Sequence, residues 1–241
     1  PYSTLFRSDG LLRAKQAYAR VARAISTFEP VTMVARPQDV AEVKLACAVK
    51  VDTLELVIDD SWARDSGPTF VRASDGARAG VQWQFNAWGN KYHPFEDDAK
   101  LATQIIEGVK MRVYRAPLVC EGGAIHTDGE GTLLTTEQTL LNSNRNPNLT
   151  RQEIEEALAL FTGTRRVIWL GDGFSDEETD GHIDNIACFA GAGRVLVGVP
   201  SSRSHPDFEP VQDALRRLNE ARDANGRRLE IVELPQPKNI R

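Results

Sequence analysis

The sequence has few cysteines and no long hydrophobic run. Only three of its 241 residues are cysteines, Cys47, Cys120 and Cys188, and their spacing fits neither a disulfide framework nor a paired zinc motif. Reduced thiols are therefore expected, which indicates a cytoplasmic protein. The apolar runs are short and interrupted, so the sequence predicts no membrane span and no signal peptide.

An excess of basic residues is also missing. The chain has 29 lysines and arginines against 34 aspartates and glutamates, which gives a formal net charge of −5. A nucleic-acid-binding role is therefore not expected, whereas a small cationic ligand is compatible with this balance. The hydrophobic content of 41% and the charged content of 26% are ordinary for a globular protein.

Helical and strand patterns alternate along the chain, which predicts an α/β fold. Residues 10–28 predict a first helix, with Leu11, Tyr18, Val21, Ile25 and Phe28 at helical steps. A later helix is expected to reach residue 161, because Thr150 and Glu153 form a capping-box pattern before it. Strands are predicted at residues 31–35, 54–58, 69–72, 80–85, 113–116, 132–136, 167–170, 185–190, 194–199 and 229–234.

Three polar positions recur at a similar interval. Asp65 and Glu121 are 56 positions apart, and Glu121 and His182 are 61 apart. Each follows a predicted strand and opens a predicted hairpin that precedes a helix. This order suggests a few large ββαβ modules, and if these stand around an axis, the three side chains converge at its centre.

His182 and Asp184 are predicted to share one face of a strand. Alternate strand residues point the same way and lie roughly 6–7 Å apart along the chain. Together with Asp65 and Glu121, this pair indicates a site for a small ligand. A divalent metal is one alternative, although no second histidine or cysteine stands at the close spacing typical of zinc. A planar guanidinium is the other, because its N–H groups pair with carboxylates two at a time.

Five motifs in one order resemble agmatine deiminases and bacterial peptidylarginine deiminases. They lie at residues 62–69, 85–89, 121–126, 141–147 and 180–185. The resemblance implies the pentein fold, a five-module α/β propeller of ββαβ repeats. It also implies hydrolysis of a C–N bond in a linear amidine, namely agmatine to N-carbamoylputrescine and ammonia, in putrescine and polyamine biosynthesis. No cofactor and no metal are implied, and a homodimer is suggested.

The resemblance assigns a role to seven residues of this sequence. Asp65 and Asp184 resemble the carboxylates that grip the guanidinium. His182 resembles the general acid/base, and Glu121 matches a further active-site acid. Glu178 resembles the acid that binds the distal amine, and Trp62 and Trp88 resemble aromatic walls. Glu178 lies in an acidic loop at residues 176–180.

One feature of the deiminases is absent from this sequence. Their nucleophilic cysteine follows a Gly-Gly-Asn-Ile-His segment, which does not occur in residues 1–241. On a continuous strand Cys188 would lie ~13 Å beyond Asp184, Cys120 would face away from Glu121, and Cys47 is predicted on a helical core face. We therefore expect residues 1–241 to form a single, partial catalytic domain, without the C-terminal module that carries the nucleophile and without an N-terminal segment.

Three other functions remain open from the sequence. Peptidylarginine deimination is less favoured than agmatine deimination, because Glu178 suits a free amine and no secretion signal is visible. A metal-dependent hydrolase would use Asp180, His182 and Asp184. A non-catalytic guanidinium-binding protein would lack the cysteine altogether.

Overall fold

The computed structural model describes residues 8–47, 51–175 and 178–236. Helices and strands alternate along these residues, as the sequence predicts. The helices are α1 (Ser8–Ile25), α2 (Val40–Cys47), α3 (Ala63–Ser66), α4 (Ala87–Asn90), α5 (Asp98–Gly108), α6 (Glu137–Leu140), α7 (Arg151–Thr162), α8 (Ile183–Ile186) and α9 (Phe208–Glu220). The strands are β1 (Val31–Ala35), β2 (Val51–Glu55), β3 (Thr69–Arg72), β4 (Arg78–Gln84), β5 (Arg112–Val119), β6 (His126–Thr127), β7 (Thr132–Thr136), β8 (Arg166–Leu170), β9 (Ala187–Gly191), β10 (Arg194–Val199) and β11 (Glu230–Pro235).

Three of the sheets repeat one arrangement. In each, two strands form an antiparallel hairpin, and a helix crosses over to a third strand that runs parallel to the second. These are sheet 2 (β3-β4-β5 with α5), sheet 3 (β6-β7-β8 with α7) and sheet 4 (β9-β10-β11 with α9). A parallel pair needs a crossover because the chain must return to the same end of the sheet. The chain therefore has the ββαβ repeat that its sequence predicts.

Neighbouring sheets share hydrophobic cores. Val81 and Leu118 of sheet 2 belong to the same core as Leu133 of sheet 3. Ile168 of sheet 3 packs in a second core with Val195 of sheet 4. Each module is therefore stabilised by the next, since an amphipathic sheet must bury its apolar face against another layer.

Sheet 1 contains the parallel pair β1-β2, which α2 connects. Helix α1 packs on this sheet through Ala19 and Ala22, which are buried beside Cys47. The predicted helix is confirmed, but it ends at Ile25 rather than Phe28. The larger apolar side chains that predicted it are exposed, namely Leu11, Tyr18, Val21, Ile25 and Phe28.

The strongest local predictions agree with the structure, and the weakest differ at element ends. Thr150 and Glu153 form the complete capping box that starts α7. Strand β2 spans residues 51–55 rather than 54–58. Residues 176–177 of the predicted acidic loop lie outside the described residues. Among the described helices, none combines the length and apolar character that crossing a bilayer requires.

Candidate active site

The loop before α3 is anchored at the start of α5. The carboxylate of Asp98 accepts the backbone N–H groups of Asp59 at 2.9 Å and Asp60 at 3.0 Å. Asp59 in turn accepts the backbone N–H of Asp97 at 2.9 Å. Burial raises the pKa of Asp98 to about 6, although the two N–H groups act in the opposite direction. These reciprocal hydrogen bonds fix the direction in which the chain enters α3, which carries Asp65.

Asp65 is buried, with 8% of its surface exposed, and both of its carboxylate oxygens accept hydrogen bonds. The backbone N–H of Gly123 donates to Oδ1 at 2.9 Å, and the indole N–H of Trp88 donates to Oδ2 at 3.0 Å. Two separate segments of the chain therefore orient this carboxylate.

Trp88 lies in a turn of unusual backbone geometry. All four residues of α4 have positive φ, between 52° and 88°, and three of them are not glycine. A left-handed conformation costs roughly 1–2 kcal/mol for each non-glycine residue. The turn is held by the side chain of Asn86, which accepts the backbone N–H of Gly89 at 2.9 Å, and by edge contacts of the Trp88 ring with Phe85 and Tyr92. Backbone strain of this kind concentrates at functional sites.

Gly123 marks the point at which three of the predicted site residues meet. A methyl group on Gly123 would lie 2.5 Å from Nδ1 of His182, 2.6 Å from Oδ1 of Asp65 and 2.8 Å from Oδ2 of Asp184. No side chain fits into this space, so only glycine lets the backbone approach the three polar groups so closely. The convergence of His182, Asp65 and Asp184, which the sequence predicts, is present in the structure.

His182 lies between two carboxylates and is almost fully buried. Its Nδ1 is 3.8 Å from Oδ1 of Asp65, and its Nε2 is 3.6 Å from Oε2 of Glu121. Glu121 is fully buried behind the imidazole. Within the described residues, neither Nε2 of His182 nor Oε2 of Glu121 has a hydrogen-bond partner. The two atoms face each other just beyond hydrogen-bond distance.

Asp184 and His182 are not on a strand, so this part of the prediction is wrong. His182 immediately precedes the helical turn α8, which contains Asp184, and strand β9 begins only at Ala187. The chain turns immediately before this point, where Asp180 has a φ of +56° and Gly181 a φ of +78°. Their convergence therefore comes from a turn and not from strand parity.

The carboxylate of Asp184 is the more open of the two that meet at Gly123. Its side chain is 32% exposed, and its nearest cation is Arg64, whose Nε is 3.9 Å from Oδ2. Burial raises the pKa of Asp184, and the negative charge of Asp65 acts in the same direction. Positive charge on His182 and Arg64 acts against both. A bound cation would therefore stabilise the ionised form.

These groups line a cavity of about 240 Å³. Its lining residues are Trp62, Arg64, Asp65, Trp88, Tyr92, Glu178, Thr179, His182, Asp184 and Asn185. Six of the seven predicted site residues are among them, and Glu121 is the exception because it lies behind His182. Three carboxylates and one guanidinium surround the cavity, so its lining carries a net negative charge. Trp62 is 45% exposed and, with Glu178, lies at the outer part of the site.

The sequence does not predict the roles of four cavity residues, Arg64, Tyr92, Thr179 and Asn185. Arg64, Thr179 and Asn185 are next to predicted residues along the chain, so adjacency is the only signal that indicates them. Tyr92 lies in the aromatic loop that follows Trp88, and its contact with that ring depends on the left-handed turn.

An ion network centred on the buried Arg145 lies behind the cavity. Arg145 has no exposed side-chain surface, and its Nε donates to Oε1 of Glu121 at 2.6 Å. Its Nη1 donates to Oδ2 of Asp180 at 2.9 Å, and Lys91 donates to the other oxygen of Asp180 at 2.7 Å. Burial acts in the opposite direction, but these donors and Asn144 lower the pKa of Asp180. The group formed by Lys91, Glu121, Asn144, Arg145 and Asp180 is called the Arg145 network below. The motif at residues 141–147 contains Arg145, but the sequence assigns it no role.

None of the three cysteines, all of which are described, lines the cavity. Cys47 is buried beneath α1, and Cys188 is half-buried on β9. Cys120 is fully buried, and burial together with the charge of Glu121 raises the pKa of its thiol well above the usual value. Because the thiolate is the reactive form of cysteine, Cys120 is poorly suited to be a nucleophile.

The described residues contain no group of three or more histidine, cysteine, aspartate or glutamate side chains arranged to hold a metal ion. Asp180, which the metal alternative requires, is turned toward Arg145 and Lys91. Asp180 is therefore an ion-pair partner in this structure and not positioned as the metal ligand that this alternative requires.

Comparison with known proteins gives one consistent family. The sequence profile of the Porphyromonas-type peptidyl-arginine deiminases matches residues 2–241. An agmatine deiminase of Pseudomonas aeruginosa strain LESB58 is 43% identical over 231 residues, which cover 93% of this chain and 62% of the relative.

Two solved structures share the fold. The agmatine deiminase of Enterococcus faecalis, solved catalysing its reaction, has a TM-score of 0.92 at 38% identity, over 96% of this chain and 65% of that one. A cysteine-to-serine variant of the C. jejuni agmatine deiminase with substrate bound has a TM-score of 0.84 at 28% identity, over 96% of this chain and 67% of that one. The chain spans 62–66% of the length of the curated relatives that it matches.

Proposed function

The chain belongs to the Porphyromonas-type peptidyl-arginine deiminase family, and from this premise we propose that it provides most of the active site of an agmatine deiminase. The observation that supports the proposal is the convergence of His182, Asp65 and Asp184 around Gly123, in a cavity with a negative lining. Such a cavity attracts a cation, and a planar guanidinium can pair with two carboxylates at once.

Asp65 and Asp184 are proposed to bind the two edges of the guanidinium. Each oxygen of Asp65 already accepts one hydrogen bond, and a carboxylate oxygen has a second lone pair for the ligand. Trp62 and Trp88 form aromatic walls along the cavity, where a flat cation stacks favourably. Glu178 is proposed to pair with the distal amine of agmatine.

His182 is proposed to move protons during hydrolysis. A cysteine thiolate adds to the guanidinium carbon and forms a C–S bond, and the C–N bond breaks as His182 donates a proton to the departing ammonia. His182 then removes a proton from water, whose oxygen adds to the same carbon. Collapse of this adduct breaks the C–S bond and regenerates the thiolate, and the added hydroxyl loses its proton to solvent as N-carbamoylputrescine is released.

The nucleophile is proposed to lie outside residues 1–241. No cysteine of this chain lines the cavity, and a relative solved with substrate bound carries serine in place of a cysteine. The completed five-module propeller, a cytoplasmic location, a homodimer and a role in putrescine biosynthesis are further parts of this proposal.

The decisive experiment compares ammonia release from agmatine, free arginine and a peptidyl arginine. It uses the protein encoded by the complete reading frame, with the 241-residue chain alongside. Release from agmatine by the complete protein, and none by the chain alone, is the expected result. Preference for the peptide would favour peptidylarginine deimination instead.

Two further outcomes distinguish the other classes. Loss of activity with a chelator would favour a metal-dependent hydrolase. A reading frame that ends at Arg241 would favour a non-catalytic guanidinium-binding protein, and turnover by the chain alone would show that one of its own cysteines is the nucleophile.

A further inference from the structure

Arg145 is the residue through which three segments of the site are joined. It does not line the cavity, yet its guanidinium donates to Glu121, to Asp180 and to the carbonyl oxygen of Thr179 at 2.6, 2.9 and 3.3 Å. Glu121 faces His182, and residues 179 and 180 lead directly into His182. One buried cation therefore fixes both the acid that faces the imidazole and the backbone that carries it.

The third segment is the left-handed turn α4. A methyl group on Gly89 would lie 2.4 Å from Nδ2 of Asn144 and 2.6 Å from Nη1 of Arg145. The turn is also tied to this motif by Asn86, whose side chain donates to the carbonyl oxygen of Asn144 at 2.9 Å. Because α4 carries Trp88, the hydrogen bond from Trp88 to Asp65 depends on the same packing.

The two oxygens of Glu121 have different surroundings. Arg145 occupies Oε1, whereas Oε2 has no hydrogen-bond partner in the described part of the chain and faces Nε2 of His182 at 3.6 Å. A guanidinium on one oxygen fixes the rotation of the carboxylate and leaves its other oxygen as an acceptor. Nδ1 of His182 also faces a carboxylate oxygen, Oδ1 of Asp65 at 3.8 Å, but that oxygen already accepts the N–H of Gly123. Nε2, which faces the unoccupied oxygen of Glu121, is therefore favoured as the N–H donor, because the partner of one ring nitrogen determines the tautomer.

We infer that Arg145 is a positioning residue that sets the tautomer of His182 through Glu121. In neutral His182 the proton is on Nε2, directed at Glu121, and Nδ1 is the basic nitrogen beside Asp65, Asp184 and the cavity. This inference rests on the proposed acid/base role of His182, and it adds the residue that prepares the imidazole for that role.

The first test is a long-range ¹H–¹⁵N NMR spectrum of the histidine rings in the 241-residue chain, with His182→Ala to assign the signal. The Nε2–H tautomer is expected for His182 in the unaltered protein. Arg145→Met should give a mixture of tautomers, and Arg145→Lys, which keeps the charge, should retain most of the original signal. An Nδ1–H tautomer in the unaltered chain, or an unchanged signal in folded Arg145→Met, would overturn the inference.

A double-mutant cycle covers the case in which Arg145→Met does not fold. The double variant with Arg145→Met and Glu121→Gln lacks both the buried cation and the buried anion. If Arg145 acts through Glu121, the double variant and Glu121→Gln alone should give the same His182 signal. An additional change in the double variant would show that Arg145 acts by another route. Arg216→Met is the matched control, since Arg216 also joins two carboxylates, Asp213 and Glu220, but at the surface.

A kinetic split provides a second readout in the complete protein. Arg145→Met should lower kcat for agmatine by about tenfold to 100-fold, within the contribution of a positioned acid/base, and Arg145→Lys, which keeps the charge, should lower it less. KM should change by less than about threefold, because Arg145 does not contact the cavity. A rise in KM of the same size, with kcat unchanged, would contradict a positioning role. If the complete protein releases no ammonia, the proposed function fails, whereas the NMR result still decides the role of Arg145.

Discussion

The two sides of His182 differ in how their charges are balanced. Behind the imidazole, the carboxylates of Glu121 and Asp180 are matched by the cations of Arg145 and Lys91. In front of it, among the described residues that line the cavity, three are carboxylates and only Arg64 opposes them, at 3.9 Å from Asp184. The buried side is complete within the fold, whereas the open side carries an excess of negative charge.

The charge balance on the two sides of His182 distinguishes a supporting role from a binding role. Buried ions are tolerated only when they are paired and hydrogen-bonded, which the Arg145 network achieves. An uncompensated negative cavity is costly to a protein unless a cation binds there. The open side of His182 therefore has the properties of a binding site, and the closed side those of its support.

The largest expected effect follows from removing the residue that both sides share. His182→Ala should lower ammonia release from agmatine by about 10²-fold to 10⁴-fold, which is the usual contribution of general acid/base catalysis. The fold should remain intact, because the closest carboxylate contacts of the ring are 3.6 and 3.8 Å long. Assays of the complete protein, with circular dichroism as the measure of folding, test this. His205→Ala, which changes an exposed histidine, is the control. Near-normal turnover in His182→Ala would contradict the role assigned to His182.

Breaking the closed side should mainly cost stability. Arg145→Met leaves Glu121 without its cation in a fully buried position, and such a loss typically costs about 3–5 kcal/mol. Urea denaturation of the 241-residue chain measures it. Arg216→Met should cost clearly less than Arg145→Met, because Arg216 is 56% exposed. Equal losses in the two variants would contradict the comparison.

Breaking the open side should instead cost binding. Asp184→Asn removes a charged acceptor of the guanidinium, so agmatine affinity should fall by roughly tenfold to 100-fold. Chemical-shift titration with agmatine measures the change, and Asp75→Asn, at an exposed hairpin tip, is the control.

The same variant should not lose stability at neutral pH. The pKa of Asp184 is raised in the folded chain, so folding favours its protonated form. That contribution is present below the pKa of the unfolded chain and is lost as the pH rises through the folded value. Because an asparagine side chain never ionises, Asp184→Asn should be as stable as the original chain or more so at pH 7, and a clear loss there would contradict the raised pKa.

The smallest expected effect concerns Arg64. Its positive charge lowers the pKa of Asp184 against the effect of burial, so Arg64→Gln should raise that pKa further. Agmatine binding should then be lost at a higher pH on the acid side. The shift should be small because the two groups are 3.9 Å apart and Arg64 is 57% exposed. Titrations at several pH values measure it, with Arg20→Gln on α1 as the control, and a shift to lower pH would contradict the assigned sign.

Local sequence patterns predict much of this structure. The capping box of α7 and the hairpin strand β3 form as expected because adjacent residues supply their hydrogen bonds and their alternation. The repeated order of strands and helices predicts the ββαβ sheets. The motifs also select seven candidate residues, six of which line one cavity.

Predictions that need distant contacts succeed less well. The apolar steps of α1 predict a helix, but they do not show that Leu11, Val21 and Ile25 are exposed on it. The strand expected at His182 and Asp184 is a helical turn, because positive φ angles at Asp180 and Gly181 redirect the chain. Those angles are held by partners such as Arg145 and Lys91, which are far away in the sequence.

The sequence by itself determines the family, the repeated ββαβ order and the identity of the polar groups, since these depend on residue types and on contacts between near neighbours. Only the tertiary structure decides that Gly123 is the meeting point of His182, Asp65 and Asp184 and that Arg145 supports them from behind. Both features join segments that are far apart in the sequence: Arg145 and Glu121 are 24 residues apart, and Gly123 and Asp65 are 58 apart. Burial and charge pairing at such separations depend on how the modules pack, and no local pattern records that packing.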